Sequence, residues 1–227
     1  MARIALCIPG FQFSYVWVAH ILQLQAHLLA EGHRVAIAPC YTNNIYITRQ
    51  VIHNTLMKDE DLDYILWVDD DNIVEVSSFT KLFDDLEAHP EIDAVAAWYF
   101  CAGQVFEGVR ASVGMFNEKR DIVPISLKEL STNKSLIPID WSGLGCVLMR
   151  KSGLDKAGVK PFRPITGDWE LGFAGDDISF FNRFKDGGGV IYCDPTVHVP
   201  HLKVRCVAPP LTIPQDSQTE LPEEVAA

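Results

Sequence analysis

Three consecutive acids, Asp69, Asp70 and Asp71, are the strongest candidates for chemistry in this sequence. They directly follow the apolar run 64–68, which has the length and composition of a buried strand. Carboxylates this close repel one another, and a hard divalent cation such as Mg²⁺ or Mn²⁺ relieves that repulsion through oxygen ligands. The run therefore predicts a metal site, with an exposed acidic turn ahead of a helix as the alternative.

The sequence around the acidic run alternates between strand and helix patterns. Strands are predicted at 3–8, 34–38, 64–68 and 94–98, and helices at 16–30, at 47–57 and from Ser77 or Ser78 to Glu87. This order predicts an α/β fold with a mainly parallel, helix-flanked sheet. Ligands of such sheets bind outside the carboxyl ends of the strands, which is where the acidic run lies.

The second half of the chain predicts a smaller subregion followed by one more helix and the last strands. Short strand-like pieces occupy 105–139, a helix is predicted at 176–185, and strands are predicted at 190–193 and 197–199. Three glycines, 187–189, end the helix. Residues 208–227 are rich in proline and acids and poor in apolar residues, which predicts a disordered tail.

Composition limits the class of protein. A chain of 227 residues with 48% hydrophobic residues suits one large domain with a full core. The net charge of −11 argues against broad affinity for nucleic acid, because phosphate contacts need clustered Lys and Arg. No apolar stretch reaches the roughly eighteen residues of a membrane span, and the apolar N-terminus is too short for a secretory signal. The six cysteines are dispersed along the chain, which is typical of cysteines that stay reduced. These features predict a cytoplasmic protein.

Two segments carry a resemblance to a known family. DYILWVDDDNIV resembles the DxD region of GT-A fold glycosyltransferases, especially the family 2 type, and GDDISFFNRFKDGGG followed by DPTVHVPH resembles the family pattern GEDxxFxxRxxxxG…DPxxxxxH. RIALCIPGF, YITRQVIHNTL and WSGLGCVLMRKSGL match further family segments in the same order. The resemblance covers residues 2 to 203. It implies a small enzyme of the bacterial or bacteriophage kind, which would act in the host cytoplasm if phage-encoded.

The resemblance implies a donor site at the acidic run. There a divalent metal, Mn²⁺ or Mg²⁺, bridges the diphosphate of a nucleotide-sugar. Asp71, Asp69 and His201 are the implied metal residues, and Asp69 also lies near the ribose, with Asp70 able to take either role. The other implied donor-site residues are Pro9 at the nucleotide-binding loop, Arg49 near the phosphates, Trp141 stacked on a sugar face, and Gly143, which would let a sugar approach the backbone.

The resemblance also implies the catalytic acids. In inverting members the second acid of the GED motif is the general base, and that role falls to Asp177. Asp176 stands where the family usually has Glu, so its charge is kept on a shorter arm. In a retaining enzyme either acid would instead bind the acceptor or stabilise the oxocarbenium face, and the sequence leaves this choice open.

A competing metal site lies in the same region. The segment from Cys193 to Cys206 spells C-x4-H-x2-H-x4-C and includes His198 and His201. Common zinc patterns open with close pairs of ligands, which this segment lacks. A structural zinc site is therefore the weaker alternative.

The predicted function is transfer of a sugar, from a UDP-sugar in the favoured case, to an acceptor hydroxyl. Residues 1–207 would form one domain, with a nucleotide-binding half at 1–100 and an acceptor half at 101–207. The acceptor is a glycan or a hydroxymethylated DNA base, and a cluster of cations is compatible with the latter: Lys151, Lys156, Lys160 and Arg163. A metal-dependent nucleotidyltransferase or phosphohydrolase, and a non-catalytic nucleotide-sugar binding module, are the alternatives. The sequence predicts no oligomeric state.

Overall fold

A computed structural model describes residues 1–102, 109–167 and 172–202 of the chain. Its strands are β1 (Arg3–Pro9), β2 (Arg34–Cys40), β3 (Tyr64–Val68), β4 (Ala94–Trp98), β5 (Phe100–Ala102), β6 (Val109–Ala111), β7 (Val113–Phe116), β8 (Ile122–Pro124), β9 (Ile137–Ile139), β10 (Trp141–Ser142), β11 (Cys146–Arg150) and β12 (Ile191–His198). Its helices are α1 (Tyr15–Ala30), α2 (Ile45–Leu56), α3 (Val76–Ala88), α4 (Leu127–Thr132), α5 (Lys151–Lys156) and α6 (Asp176–Asp186).

Within these residues, a seven-stranded sheet has the order β2-β1-β3-β11-β4-β12-β9. β2, β1, β3, β4 and β12 point in one direction, while β11 and β9 are antiparallel to their neighbours. Two smaller sheets in the described part, β10-β7-β8 and β5-β6, form the subregion that follows the first half. The predicted α/β class with a mainly parallel sheet is therefore confirmed.

Strand β3 is the centre of the core because all five of its residues are buried. Ile65 and Trp67 face a layer formed by α2 and α6, whereas Tyr64, Leu66 and Val68 face α1 and α3. This alternation follows from the twofold periodicity of a strand. A strand packed on both faces is held firmly, so it fixes the position of the acids that follow it.

Two local predictions differ from the structure. Helix α3 begins at Val76 with Glu75 as its N-cap, so the predicted cap by Ser77 or Ser78 is wrong; both serines lie inside the first turn. β12 is one strand instead of two, although its pairing with β4 is interrupted between Cys193 and His198. Pro195 lies in the interruption and has no N–H to donate to a neighbouring strand.

Some predictions fall on residues that the structure does not describe. The tail predicted at 208–227 and Cys206 lie outside the described residues, as does part of the predicted acceptor half. Among the described helices, none is both long and apolar enough to cross a membrane.

The buried aromatic residues of α6 and their partner Phe162 allow the packing of the core to be tested. Phe180 is fully buried and stacks on Phe162 with ring centroids 5.1 Å apart. Phe180→Ala removes a large side chain from a closely packed site, so it is expected to lower the free energy of unfolding by about 3–5 kcal/mol. Urea unfolding followed by circular dichroism measures this loss. Phe11→Ala is the matched control, because Phe11 is exposed, and equal losses in both variants would contradict the packing described.

Candidate active site

The acidic run is anchored to the elements on both sides of it. The indole N–H of Trp17 on α1 donates to the carbonyl oxygen of Asp69 at 2.8 Å. The backbone N–H of Asp69 points to the carbonyl oxygen of Gly145, just before β11, at 3.4 Å. The turn that follows β3 is therefore held by a helix and by the neighbouring strand, which limits the directions its carboxylates can take.

A buried arginine joins the acidic run to the start of α6. Arg49 on α2 donates from Nη2 to both carboxylate oxygens of Asp69, at 2.8 and 3.1 Å, and from Nε to Asp176 at 2.5 Å. Arg49 is only 4% exposed, and its guanidinium lies 5.6 Å from the ring centroid of Trp67. Asp176 reaches Arg49 in spite of its arm being shorter than that of the expected Glu.

The charges in this network compensate one another. Burial opposes the charge on Arg49, but Asp69, Asp176 and Asp177 outweigh that effect and raise its pKa. Burial also raises the pKa of Asp69, and Arg49 opposes that rise. The buried cation has a hydrogen-bonded carboxylate on either side, although its Nη1 is buried without a hydrogen-bond partner among the described residues. Removal of one member of such a buried ion pair leaves an uncompensated charge.

Asp70 points away from the arginine and towards the loop after β1. Its carboxylate accepts from the backbone N–H of Phe11 at 3.3 Å. A Cβ atom on Gly10 would lie 2.4 Å from the Asp70 carboxylate, so the close approach requires glycine. Asp70 and Pro9 line a cavity of about 240 Å³ with residues that follow β2, among them Tyr41.

Asp71 meets His201 across 130 residues of chain. His201 Nε2 lies 3.0 Å from Asp71 Oδ2, and His201 Nδ1 lies 2.8 Å from the carbonyl oxygen of Phe100. A carbonyl can only accept, so Nδ1 carries the hydrogen and Nε2 is turned towards the carboxylate. The segment is fixed by backbone bonds, since the N–H of Leu202 donates to the Asp71 carbonyl at 2.6 Å.

The Asp71–His201 pair fits a divalent cation. Octahedral Mg²⁺ holds its ligands at about 2.1 Å and at right angles, which places adjacent ligand atoms about 3 Å apart. Histidines that bind metals in proteins usually donate from their other ring nitrogen to a carbonyl or carboxylate, as His201 does to Phe100. The described residues contain no group of three or more His, Cys, Asp or Glu placed to hold a metal. Two protein ligands would leave open coordination positions of the kind that phosphate oxygens and water fill around Mg²⁺.

Three sequence-predicted residues lie elsewhere than expected. Asp69, which the resemblance implied as a metal residue, instead accepts from Arg49 with both of its carboxylate oxygens. Trp141 does not offer a face to a sugar: it is buried, and its indole N–H donates to the Met115 carbonyl at 3.0 Å. Gly143 is also buried, and the close approach that it permits is made by the Tyr99 hydroxyl, which would lie 2.1 Å from a Cβ there.

The two acids at the start of α6 lie in different surroundings. Gly175 is the N-cap, so both acids occupy the first turn, where the helix dipole favours negative charge. Asp177 accepts from the N–H of Ile178 at 2.7 Å. Burial, followed by repulsion from Asp176, raises the pKa of Asp177 to about 7. A carboxylate with this pKa can take up a proton near neutral pH, as a general base requires.

Sequence reasoning missed two buried polar residues beneath the site. The Tyr99 hydroxyl accepts from the backbone N–H of Gly145 at 3.3 Å, and its ring lies 5.0 Å from that of His201. Asn72 is fully buried, and its amide atoms have no hydrogen-bond partner in the described part of the chain. A Cβ on Gly145 would lie 2.2 Å from the Asn72 oxygen. The sequence analysis expected a sugar to approach the backbone at Gly143, whereas the close approaches at Gly143 and Gly145 are made by the side chains of Tyr99 and Asn72.

The weaker zinc alternative gains no support. Cys193 is fully buried, and burial raises the pKa of its thiol, which opposes metal binding as a thiolate. His198 packs its ring against Trp98 at 4.4 Å. Cys206 lies outside the described residues.

Comparison with known proteins shows the fold. No family model matches the chain, and no curated protein matches its sequence. Among solved structures, A197 from STIV matches with a TM-score of 0.53 and 15% identity over 91% of this chain and 97% of that one. The catalytic domain of Drosophila beta1,4galactosyltransferase 7, in complex with xylobiose, matches with a TM-score of 0.50 and 15% identity over 90% and 72%. GalNAc-T7 with UDP, GalNAc and Mn²⁺ matches with a TM-score of 0.53 and 11% identity over 93% and 46%.

The chain has a GT-A type fold. At 11–15% identity these matches show the fold alone. The chain spans nearly all of the STIV protein but less than half of GalNAc-T7.

The arginine network gives a stability test. Arg49→Met removes the cation and leaves Asp69 buried without compensation, so at pH 7 it is expected to lower the free energy of unfolding by about 3–5 kcal/mol. Without Arg49 the folded-state pKa of Asp69 rises further. A raised folded-state pKa means that the folded state binds more protons, so the variant regains stability relative to wild type as the pH falls from 7 to 4.

Urea unfolding at pH 7, 5.5 and 4 measures this difference. Arg34→Met is the matched control, because the Arg34 side chain is 60% exposed and lies 3.9 Å from Asp61. The control is expected to change stability by less than about 0.5 kcal/mol. A loss in Arg49→Met that stayed constant across the three pH values would refute the charge argument.

Proposed function

We propose that this chain is a metal-dependent glycosyltransferase that transfers a sugar from a UDP-sugar to an acceptor hydroxyl. The observation that carries the proposal is the Asp71–His201 pair, 3.0 Å apart, beside the network of Arg49, Asp69 and Asp176. Both groups lie at the carboxyl end of β3, where open α/β sheets bind their ligands. Support comes from the fold, because a matched structure contains UDP and Mn²⁺.

The donor nucleotide is proposed to bind along the loops after β1 and β2. The cavity of about 240 Å³ lined by Pro9 and Asp70 opens there and suits the base. Asp69, held by Arg49, would lie beside the ribose. Arg49 is engaged by two carboxylates, so its role is to set the position of Asp69 and to offset charge near the diphosphate.

The metal is proposed to be Mn²⁺ or Mg²⁺, bound by Asp71 and His201. Such an ion supplies positive charge that offsets the charge of the departing diphosphate, a Lewis-acid role. His201 suits this task because Phe100 holds its Nδ1–H and so directs Nε2 towards the site. Asp69 is assigned to the ribose and not to the metal, because Arg49 donates to both of its carboxylate oxygens.

Asp177 is proposed as the general base of an inverting transfer. The acceptor oxygen forms a bond to the anomeric carbon as its proton passes to the Asp177 carboxylate. The bond between the anomeric carbon and the diphosphate oxygen breaks, and its electron pair leaves with the nucleoside diphosphate. Asp176, bound to Arg49, holds the start of α6 against the acidic run and keeps Asp177 facing the site.

The acceptor half is proposed to be residues 101–207, with residues 1–100 binding the nucleotide. The cation cluster considered for a DNA acceptor is partly neutralised, since Lys151 and Lys156 pair with Asp155 and Asp93, both at 2.7 Å. Lys160 and Arg163 remain as its other members. A neutral glycan hydroxyl is therefore favoured over a polyanionic acceptor. Mass spectrometry of mixed UDP-sugars offered glycan and hydroxymethylated DNA acceptors decides between them.

Donor binding is expected to depend on the metal pair. UDP should bind at least about 10-fold more tightly with Mn²⁺ than with EDTA, because Asp71 and His201 supply two of the ion's ligands. Isothermal titration calorimetry measures both affinities. Asp71→Asn should remove most of the gain from Mn²⁺. Asp84→Asn, on the exposed side of α3, is the matched control and should keep it. Equal UDP affinity with Mn²⁺ and EDTA would remove the metal-diphosphate model.

Transfer is expected to depend on deprotonated Asp177. Asp177→Asn should lower kcat by about 10²–10⁴-fold, the usual contribution of a general base. Because the pKa of Asp177 is raised to about 7, wild-type kcat should fall as the pH decreases from 8 to 6. Rates of sugar transfer across this range measure the effect.

Two further results bear on this assignment. Asp155→Asn, on α5, changes a half-exposed acid and should leave both the rate and its pH profile unchanged. If Asp177→Asn transfers sugar at the wild-type rate, Asp177 is not the base. Release of UDP with no sugar transferred to any acceptor would favour a phosphohydrolase.

A further inference from the structure

Helix α1 carries an apolar stripe on its outer face. The residues of this α1 stripe are all exposed and all apolar: Tyr15, Val18, Leu22, Ala26 and Leu29. Tyr15 is 85% exposed, and Leu22 and Leu29 are each more than half exposed. They follow one another at intervals of three and four residues, so they lie along one side of the helix.

The inner face of α1 is apolar as well. Trp17, Ile21, Leu24 and Leu28 are buried against the sheet and α3. A helix at the surface of a globular protein normally has a polar outer face. In α1 the polar residues His20, Gln23, Gln25 and His27 lie instead on the flanks, between the buried face and the α1 stripe. The stripe is therefore an apolar surface that is left exposed by the described residues of the chain.

The spacing of the stripe residues along the helix is symmetric about Leu22. The intervals from Tyr15 to Leu29 are three, four, four and three residues. If a second α1 lies antiparallel on the first with Leu22 on the twofold axis, Val18 faces Ala26 of the other copy and Tyr15 faces Leu29. Leu22 then meets Leu22 of the other copy on the axis, Val18 meets the smaller Ala26, and the Tyr15 ring meets the aliphatic side chain of Leu29. A twofold interface requires this self-complementarity.

The charge pattern favours a second copy over other occupants. The chain has a net charge of −11, but the segment from Tyr15 to Ala30 contains no Asp, Glu, Lys or Arg. Two copies can therefore meet along α1 without placing like charges opposite each other. Helices that lie on membranes carry Lys and Arg on their polar face, and polyanionic partners need the same cations. The α1 stripe has neither.

We propose that a second copy of this chain covers the α1 stripe, forming a twofold dimer through an antiparallel α1–α1 pair. The proposal goes beyond the proposed glycosyl transfer and does not depend on it. The stripe is about 21 Å long at 1.5 Å per residue. A pair of helices of this length buries less than the roughly 800 Å² per partner of a standard interface. The dimer is therefore expected to dissociate in the micromolar range.

Sedimentation velocity of the full chain between 1 and 200 µM tests the dimer. The wild type should pass from monomer to dimer over this range. Leu22→Asp places two carboxylates against each other on the axis, so it should raise the Kd by more than about 100-fold. Val51→Asp is the matched control, because it introduces the same charge at an exposed apolar position of α2. It should leave the Kd within about 3-fold of wild type.

Cysteine cross-linking tests the antiparallel register. Leu22→Cys should form an intermolecular disulfide with itself under mild oxidation. Tyr15→Cys and Leu29→Cys should each form little alone but should cross-link when the two variants are mixed. The wild type measures the background from its own cysteines. Efficient self-linking of Tyr15→Cys would indicate a parallel pair and overturn the register.

Other occupants give different results. A wild type that remains monomeric at 200 µM overturns the proposal. A monomer that floats with phosphatidylcholine vesicles, and loses this binding in Leu22→Asp, assigns the stripe to a membrane surface and also overturns it. A dimer that persists in Leu22→Asp, with circular dichroism unchanged from wild type, places the interface on another surface.

Discussion

The site depends on one buried cation. Arg49 projects from α2 between the acid at the end of β3 and the acid at the start of α6, and its bonds of 2.5 to 3.1 Å hold these elements together. Without a cation here, Asp69, Asp176 and Asp177 would repel one another at the place where two chain segments must meet. The same cation faces Trp67 in the core, so the electrostatics of the site and the packing of β3 share one residue. Asp177, the proposed catalytic base, is held in position by the ion pair between Arg49 and Asp176, of which it is not a member.

The sequence predicted most of the fold, because the elements of the first half have regular patterns. The sequence of β3 is five apolar residues followed by three acids, and this segment forms a strand that is buried on both faces. The class and the helix-flanked, mainly parallel sheet are confirmed. The start of α3 and the continuity of β12 were not predicted correctly. The N-cap Glu75 makes no side-chain hydrogen bond to the helix, so the start of α3 carries no capping signal. The continuity of β12 depends on strand pairing that is interrupted between Cys193 and His198, which local propensity does not show.

The resemblance named the residues of the candidate site, and their roles stay predictions. The side chains of Asp71 and His201 lie 3.0 Å apart, but the order of residues in the sequence could not show that Arg49 donates to both carboxylate oxygens of Asp69. Trp141 illustrates the reason. A tryptophan beside glycines can either stack on a sugar or pack in the core. Trp141 lies in the core, because its ring packs against Gly114 and its indole N–H donates to the Met115 carbonyl oxygen. Tyr99 and Asn72 were missed because buried polar residues carry no periodic signal.

The backbone bonds that hold residues 199–202 beside the acidic run have a consequence for the order of assembly. Val199 donates to Trp98, and Leu202 donates to Asp71, so the last described segment lies across residues that precede it by about a hundred positions or more. During synthesis the strands β1 to β4 leave the ribosome well before His201 does. A nascent chain can thus fold part of its sheet while Asp71 still lacks the histidine opposite it. The contact between Asp71 and His201 therefore forms only after the last described segment has docked on the sheet.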